Sequence, residues 1–67
     1  MRIKEIRESM DMSQGELARR AGLAQATVHY IESGTNNPTY KNLKKIAEVL
    51  GVSVDSLMDE SQKAANE

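Results

Sequence analysis

The chain has 67 residues, enough for one small domain, and a domain of this size buries only about 60% of the surface that it exposes when unfolded. It contains no cysteine, which excludes a disulfide framework, a thiolate metal ligand and a cysteine nucleophile. No stretch approaches the roughly 18 consecutive apolar residues of a membrane span, and the N-terminus lacks the apolar run of a signal peptide. We therefore expect a cytoplasmic protein with no membrane partner.

The net charge of −1 at first argues against a polyanionic partner, because Lys and Arg drive phosphate binding by releasing counterions. The charge is unevenly distributed, however. Residues 1–45 hold eight Lys and Arg against five acids, a balance of +3, whereas residues 46–67 hold one against five, a balance of −4. The acidic end either keeps the chain soluble or sharpens a basic face elsewhere.

The first predicted element is an amphipathic helix over residues 2–10. Ile3, Ile6 and Met10 follow the i, i+3, i+7 spacing of one helical face, which we expect to be buried. Asp11 and Met12 interrupt this pattern, so the helix should end before them.

A second helix is predicted to start after Ser13. Ser13 and Glu16 form the S-x-x-E pattern of a capping box, in which each side chain would accept from a backbone N–H of the other residue. Gly22 should end this helix, since glycine adopts the left-handed conformation after a helix without a Cβ penalty. The predicted buried side consists of Leu17, Ala18 and Ala21.

The third helix is predicted over residues 25–33, with Gly34 as its C-terminal stop. Spacing residues at 100° intervals places Val28 and Ile31 together, facing the core. The opposite face carries a polar and aromatic set: Gln25 at its margin, Ala26, His29, Tyr30 and Ser33.

Glu32 of the third helix lies beside Val28, next to the buried face. An unpaired carboxylate there would be costly, so we expect a cationic partner. Arg7 is equally close to the apolar stripe of the first helix. The sequence therefore predicts an Arg7–Glu32 ion pair.

Two further helices complete the predicted domain. Residues 35–38 have the composition of a turn, and Thr39 should cap a fourth helix that Gly51 ends. Its apolar stripe consists of Leu43, Ile46, Ala47 and Leu50. Ser53 should cap a short fifth helix that contributes Val54, Leu57 and Met58. Periodicity is lost from residue 59, so we expect a folded domain over 1–58 and a polar, disordered tail over 59–67.

Five motifs occur in order along the chain: Ser13-Gln14-x-Glu16-Leu17-Ala18, Ala21-Gly22-Leu23, Val28-x-x-Ile31-Glu32-x-Gly34, Asn37-Pro38-Thr39 and Leu43-x-x-Ile46-Ala47-x-x-Leu50-Gly51-Val52-Ser53. Together they resemble the Cro and phage-repressor helix-turn-helix family, also called the xenobiotic-response-element family. The resemblance extends from Ile3 to Met58. It implies an all-α, compact five-helix, lambda-repressor-like domain whose relatives bind operator DNA as two-fold symmetric dimers.

The resemblance assigns the major groove to the third helix. The matching positions for base contact are Gln25, Ala26 and Tyr30. Glutamine can pair bidentately with adenine, and alanine can pack against a thymine methyl group. Gln14 matches a family glutamine that contacts phosphate and braces the first reader, so the resemblance implies a Gln14–Gln25 hydrogen bond over one phosphate. Arg7 and Glu32 match the family's structural ion pair.

The positions expected at the DNA backbone are Gln14, Thr27, His29, Asn36, Asn37 and Lys41. Simpler interpretations remain for some of these side chains: His29 and Lys41 could be solvated helix residues, and Tyr30 could cover Met12 or Leu23. Ala24 stands where many relatives have a Ser or Thr N-cap. A phosphate docking at that helix end could compensate.

These features predict a sequence-specific regulator of transcription that binds double-stranded DNA, with a repressor as the expected type. We expect a homodimer at least on DNA, through Val52, Val54 and Met58, although Met58 could equally be core. The alternative is a protein-interaction module of the antitoxin type, with the same fold and secondary DNA binding. No catalytic grouping, metal cluster, cofactor motif or small-molecule site is evident, so we predict a non-enzyme without cofactors.

Overall fold

Five α-helices follow one another in the computed structural model, which describes residues 1–35 and 38–58. They are α1 (Ile3–Ser9), α2 (Gln14–Ala21), α3 (Gln25–Ser33), α4 (Tyr40–Leu50) and α5 (Val54–Leu57). The described ranges contain no strand. The predicted all-α, five-helix fold is therefore confirmed, and α1 is one residue shorter at each end than its periodicity predicted. The expected tail, 59–67, lies outside the described residues.

Hydroxyl caps determine where three of the helices begin. In each case a side-chain oxygen accepts from the backbone N–H three residues ahead, and each such cap stabilises a helix by about 1 kcal/mol. The caps are Ser13 with Glu16 (3.0 Å), Thr39 with Asn42 (3.1 Å) and Ser53 with Ser56 (3.1 Å). These starts agree with the sequence prediction because the capping chemistry is local.

Only half of the predicted capping box is present. Ser13 accepts from the Glu16 backbone, but the Glu16 carboxylate does not reach back to the Ser13 N–H. It pairs instead with Arg20, one turn further along the same helix, with an N···O distance of 2.6 Å. The prediction of a reciprocal box was wrong because an opposite charge at i+4 is a competing partner for the carboxylate.

The core is built from one fully buried side chain per helix, with further apolar residues around these five. Each of the five has 0% relative exposure: Ile3, Leu17, Val28, Ile46 and Leu57. Burial of a side chain of this size contributes roughly 1.5–3 kcal/mol. The ends of the domain also meet, since the Arg2 N–H donates to the Leu57 carbonyl at 2.8 Å.

The end of α1 differs from its predicted pattern. Met10 is 46% exposed, and Met12 takes the core position at 7%. The cause is Asp11, which has a φ of 57°, in the left-handed region. The Asp11 N–H donates to the Glu8 carbonyl and the Met12 N–H to the Arg7 carbonyl, which is the Schellman arrangement. The chain thus reverses after Ser9, and the helical period no longer applies at Met10.

The Arg7–Glu32 ion pair predicted from helical position is present. Arg7 Nε donates to Glu32 Oε2 at 2.8 Å, and a terminal guanidinium nitrogen donates to Oε1 at 3.1 Å. The two side chains are only 8% and 3% exposed. The other guanidinium nitrogen donates to the Met12 carbonyl at 2.7 Å. The pair therefore connects α1, the α1–α2 turn and α3.

The surroundings of Glu32 keep it ionised. Burial acts to raise the pKa of Glu32, but hydrogen bonds from Arg7 and Gln14, together with the charges of Arg7 and Lys4, outweigh it. The pKa of Glu32 is consequently lower than its ordinary value of 4.5. The hydrogen bond to Glu32 raises the pKa of Arg7 against the opposing effect of burial. Both groups are therefore charged at neutral pH.

We predict that Glu32→Ala lowers the free energy of unfolding by about 3–5 kcal/mol, because it leaves the Arg7 guanidinium buried without its counter-charge. Urea unfolding followed by circular dichroism measures the loss, and a loss this large would unfold much of the population of so small a domain. The control is the double variant Arg7→Met/Glu32→Leu, which removes both charges and should recover most of the stability. A Glu32→Ala midpoint equal to that of the parent would contradict the prediction.

A pH dependence follows from the lowered pKa of Glu32. A carboxylate of this kind stabilises the fold above its unfolded-state pKa, and the contribution disappears as the pH falls through the folded-state value. We expect the free energy of unfolding to decrease as the pH is lowered below 4.5. In Glu32→Gln this part of the decrease should be missing. Urea titrations at a series of pH values test this, and equal slopes in the two proteins would contradict it.

Candidate nucleic-acid interface

α2 and α3 meet across a three-residue turn. Gly22 has a φ of 72°, a conformation that a Cβ would strain. The Leu23 N–H then donates to the Ala18 carbonyl at 2.8 Å, and the Leu23 side chain packs against the core. Ala24 is the N-cap of α3. The turn therefore fixes the start of α3 against the end of α2, which is the arrangement that a helix-turn-helix requires.

One face of α3 is buried and the other is open to solvent. Val28 and Ile31 are in the core, as predicted. The exposed side chains are Gln25, Ala26, His29, Tyr30 and Ser33. All three residues predicted to contact bases therefore lie on one accessible face.

Tyr30 projects from the second turn of that face. It is 44% exposed, and its ring meets the ring of His29 edge to face, with centroids 5.6 Å apart. An aromatic ring so placed offers an apolar surface and a phenol hydroxyl to a partner.

The two glutamines at the ends of the motif have different partners. Gln14 Nε2 donates to Glu32 Oε1 at 3.0 Å, and the Gln14–Gln25 hydrogen bond expected over a phosphate is absent from the described part of the chain. A buried carboxylate is a stronger acceptor than a neutral amide, since charge-assisted hydrogen bonds are roughly twice as strong. The Gln25 side chain makes no hydrogen bond within the described ranges. Its amide oxygen lies instead above Gly15, in the first turn of α2.

The N-terminal end of α3 is not capped by a side chain. Ala24 has an extended backbone, with φ −71° and ψ 147°, and its carbonyl accepts from the N–H groups of Thr27 and Val28. The N–H groups of Gln25 and Ala26 have no acceptor among residues 1–35 and 38–58. Donors exposed at a helix N-terminus favour an anion such as phosphate.

The residues predicted to contact phosphate lie on α2, α3 and α4 where the structure describes them. Gln14 and Thr27 are half-buried, and His29 and Lys41 are exposed, the latter in the first turn of α4. Asn36 and Asn37 lie outside the described residues. The structure brings Gln14 and His29 to one shallow depression, together with Lys4, Glu32 and Ser33.

Lys4 is a residue of this region that the sequence reasoning missed. It lines the same depression as Gln14 and His29, and its charge acts on Glu32. The available signal was its spacing, because Lys4 lies three residues before Arg7 and therefore on the same side of α1. Lys4 adds a positive charge close to the predicted phosphate contacts.

The described part of the chain shows no sign of a metal centre or of a membrane-spanning helix. No group of three or more His, Cys, Asp or Glu side chains there could hold a metal ion. None of the described helices has the length and apolar character needed to cross a membrane.

The sequence is similar to those of two HTH-type transcriptional regulators. An uncharacterized HTH-type transcriptional regulator of Archaeoglobus fulgidus is 39% identical over 56 residues, which cover 84% of this chain and 79% of the relative. The HTH-type transcriptional regulator SinR of Bacillus subtilis is 40% identical over 63 residues. That match covers 92% of this chain but only 57% of SinR, so the chain spans little more than half the length of this relative.

A solved structure and a family model extend the comparison. The crystal structure of SinR, described as the master regulator for biofilm formation, in complex with DNA has a TM-score of 0.82 and 41% identity. The structural alignment covers 87% of this chain and 94% of the SinR chain in that crystal structure. The helix-turn-helix family model matches residues 3–57, which include all five helices. The chain therefore belongs to the helix-turn-helix family of Cro and phage-repressor type.

Proposed function

We propose that this chain is a sequence-specific regulator of transcription that binds double-stranded DNA and acts as a repressor, with α3 in the major groove. The observation that carries the proposal is the exposed face of α3, where Gln25 presents an amide with no hydrogen-bond partner in the described structure. The fold of a relative crystallised with DNA supports the same placement.

Base reading is assigned to the first two turns of α3. The free Gln25 amide supplies one donor and one acceptor, which match N7 and N6 of adenine. Ala26, the next exposed residue, is small enough for a thymine methyl group to approach. Tyr30 lies one turn further along and supplies apolar contact. Few of these groups discriminate bases by hydrogen bonds, so DNA shape contributes to the choice of site.

Phosphate contacts would hold α3 in register around this reading face. One hydrogen of the Gln14 amide is used by Glu32, and its second hydrogen can donate to a phosphate oxygen. Thr27 and His29 lie on α3 itself, Lys41 lies in the first turn of α4, and the sequence assigns Asn36 and Asn37 to this role as well. These contacts orient the domain but do not read the sequence.

A two-fold symmetric dimer on DNA completes the proposal, with half-sites one helical turn apart. Val52 and Val54 are half-buried and pack against the core, which leaves Met58 as the exposed apolar residue of the predicted dimer surface. So small a surface implies weak association of the free chains. Binding to the operator would then be cooperative and steeply dependent on concentration. The cytoplasm is the compartment that this function requires.

We predict that Gln25→Ala reduces the discrimination at one base pair of the operator by roughly 1–3 kcal/mol, because the variant has no amide to bond the edge of that base. Duplexes selected from a random library by the parent protein provide the operator. Affinities for that operator and for its single-base-pair variants measure the discrimination. The control is Arg19→Ala, an exposed α2 change expected to leave discrimination unaltered. Equal ratios for Gln25→Ala and the parent would contradict the prediction.

Lys41→Ala should weaken binding to all duplexes by a similar factor and reduce the slope of log K against log salt by about 1, because one phosphate contact is lost. Fluorescence anisotropy at a series of salt concentrations, from about 50 to about 300 mM, measures this slope. The same titration, carried out on the operator and on an unrelated duplex, distinguishes the proposed function from the alternative. A protein-interaction module would show no preference for the operator. A slope for Lys41→Ala equal to that of the parent would show that Lys41 is a solvated residue.

A further inference from the structure

Gly15 occupies a position in α2 where a glycine has no backbone purpose. The glycines with positive φ are Gly22, Gly34 and Gly51, each at the end of a helix. Gly15 is not among them and lies in the first turn of α2. Glycine destabilises a helix relative to alanine, since it loses more conformational freedom on folding. Its backbone conformation therefore does not account for a glycine at this position.

The predicted base reader lies next to the space that a side chain at residue 15 would enter. A Cβ built on Gly15 would lie 3.4 Å from Gln25 Oε1 and 3.7 Å from Gln25 Cδ. The next atom, Ser13 Oγ, is 3.9 Å away. The Gln25 side chain thus lies across the bare backbone of α2, and no hydrogen bond within the described ranges holds it there.

We propose that Gly15 is a positioning residue for Gln25: a residue no larger than alanine at this position leaves the reader amide its place over α2, ready for a base edge. The proposal rests on the function proposed above and identifies a determinant of specificity that does not itself contact a base. The position of the amide is then set by packing against α2. A reader held in this way loses less conformational entropy when it binds.

The size of the side chain introduced at residue 15 should decide whether Gln25 keeps its position over α2. A single methyl group would be in ordinary van der Waals contact with Gln25 Oε1 at 3.4 Å, so alanine fits with little movement. Valine adds two γ-carbons on a stiff χ1 angle and has little freedom to turn them away. Because Ser13 Oγ lies on the other side, those carbons compete with the Gln25 amide for the same space.

The test compares Gly15→Ala and Gly15→Val, each alone and combined with Gln25→Ala, on the operator selected by the parent and on its single-base-pair variants. Gly15→Ala should raise the melting temperature by roughly 2–8 °C, as expected for a glycine replaced in a helix, and keep its discrimination. Gly15→Val should fold but lose discrimination at the base pair read by Gln25, by roughly 5- to 150-fold. In the Gln25→Ala background, Gly15→Val should cause no further loss.

Three results would overturn the proposal. Full discrimination by Gly15→Val would show that Gln25 does not depend on the space at Gly15. An equal loss of affinity for all duplexes in both backgrounds would show that valine meets the DNA backbone directly. A nuclear Overhauser contact between the Gly15 α-protons and the Gln25 side chain tests the placement without DNA, and its absence would also overturn it. If the parent selects no operator while this contact is observed, the proposed function fails and the packing remains.

Discussion

The buried ion pair of Arg7 and Glu32 is the interaction on which the placement of α3 depends. Two charges withdrawn from water are costly unless their hydrogen bonds are made in good geometry. Here the guanidinium forms a fork on the carboxylate and also reaches the Met12 carbonyl. Each of these contacts requires the others to be in place. The pair is therefore less a source of net stability than a constraint that permits one angle between α1 and α3.

This constraint divides the polar side chains of the motif into two groups. Gln14 is drawn into the ion pair and becomes part of the scaffold, which leaves one of its amide hydrogens for a partner. Gln25 lies outside it, over Gly15, with its hydrogen-bonding groups free. The chain thus keeps the proposed base reader without a hydrogen-bond partner in the described structure, next to a rigid frame. A group presented in this way costs little reorganisation on binding, which favours affinity for a matching base edge.

Much of this architecture could be predicted from the sequence where its cause is local. The starts of α2, α4 and α5 follow from hydroxyl caps, and the ends of α2, α3 and α4 follow from glycines in the left-handed conformation. The ion pair could also be predicted, because helical phase places a lone acid and a lone base beside buried faces. Local chemistry and tertiary packing agree at these points.

The structure departs from the sequence-based expectation where the end of a helix lacks its usual residue, where two acceptors compete for one donor, and where a contact joins residues of different helices. Asp11 takes the left-handed position that a glycine usually holds, so the end of α1 gave no clear signal and Met12 replaced Met10 in the core. The Gln14 amide could have bonded to Gln25 or to Glu32, and sequence alone does not rank acceptors by burial. The packing of Gln25 on Gly15 joins residues of two different helices, and helical spacing within one element cannot reveal it.

The hydrogen bond between the Arg2 N–H and the Leu57 carbonyl has a consequence for how the domain assembles. It joins two groups at opposite ends of the domain, so its formation closes the longest loop in the described structure. Loop closure is entropically more costly for longer loops, and contacts distant in sequence slow folding. The packing of α2 on α3 closes a far shorter loop. We therefore expect the DNA-reading pair of helices to form early in folding, with the docking of α1 against α5 as the late step and the first to be lost on unfolding.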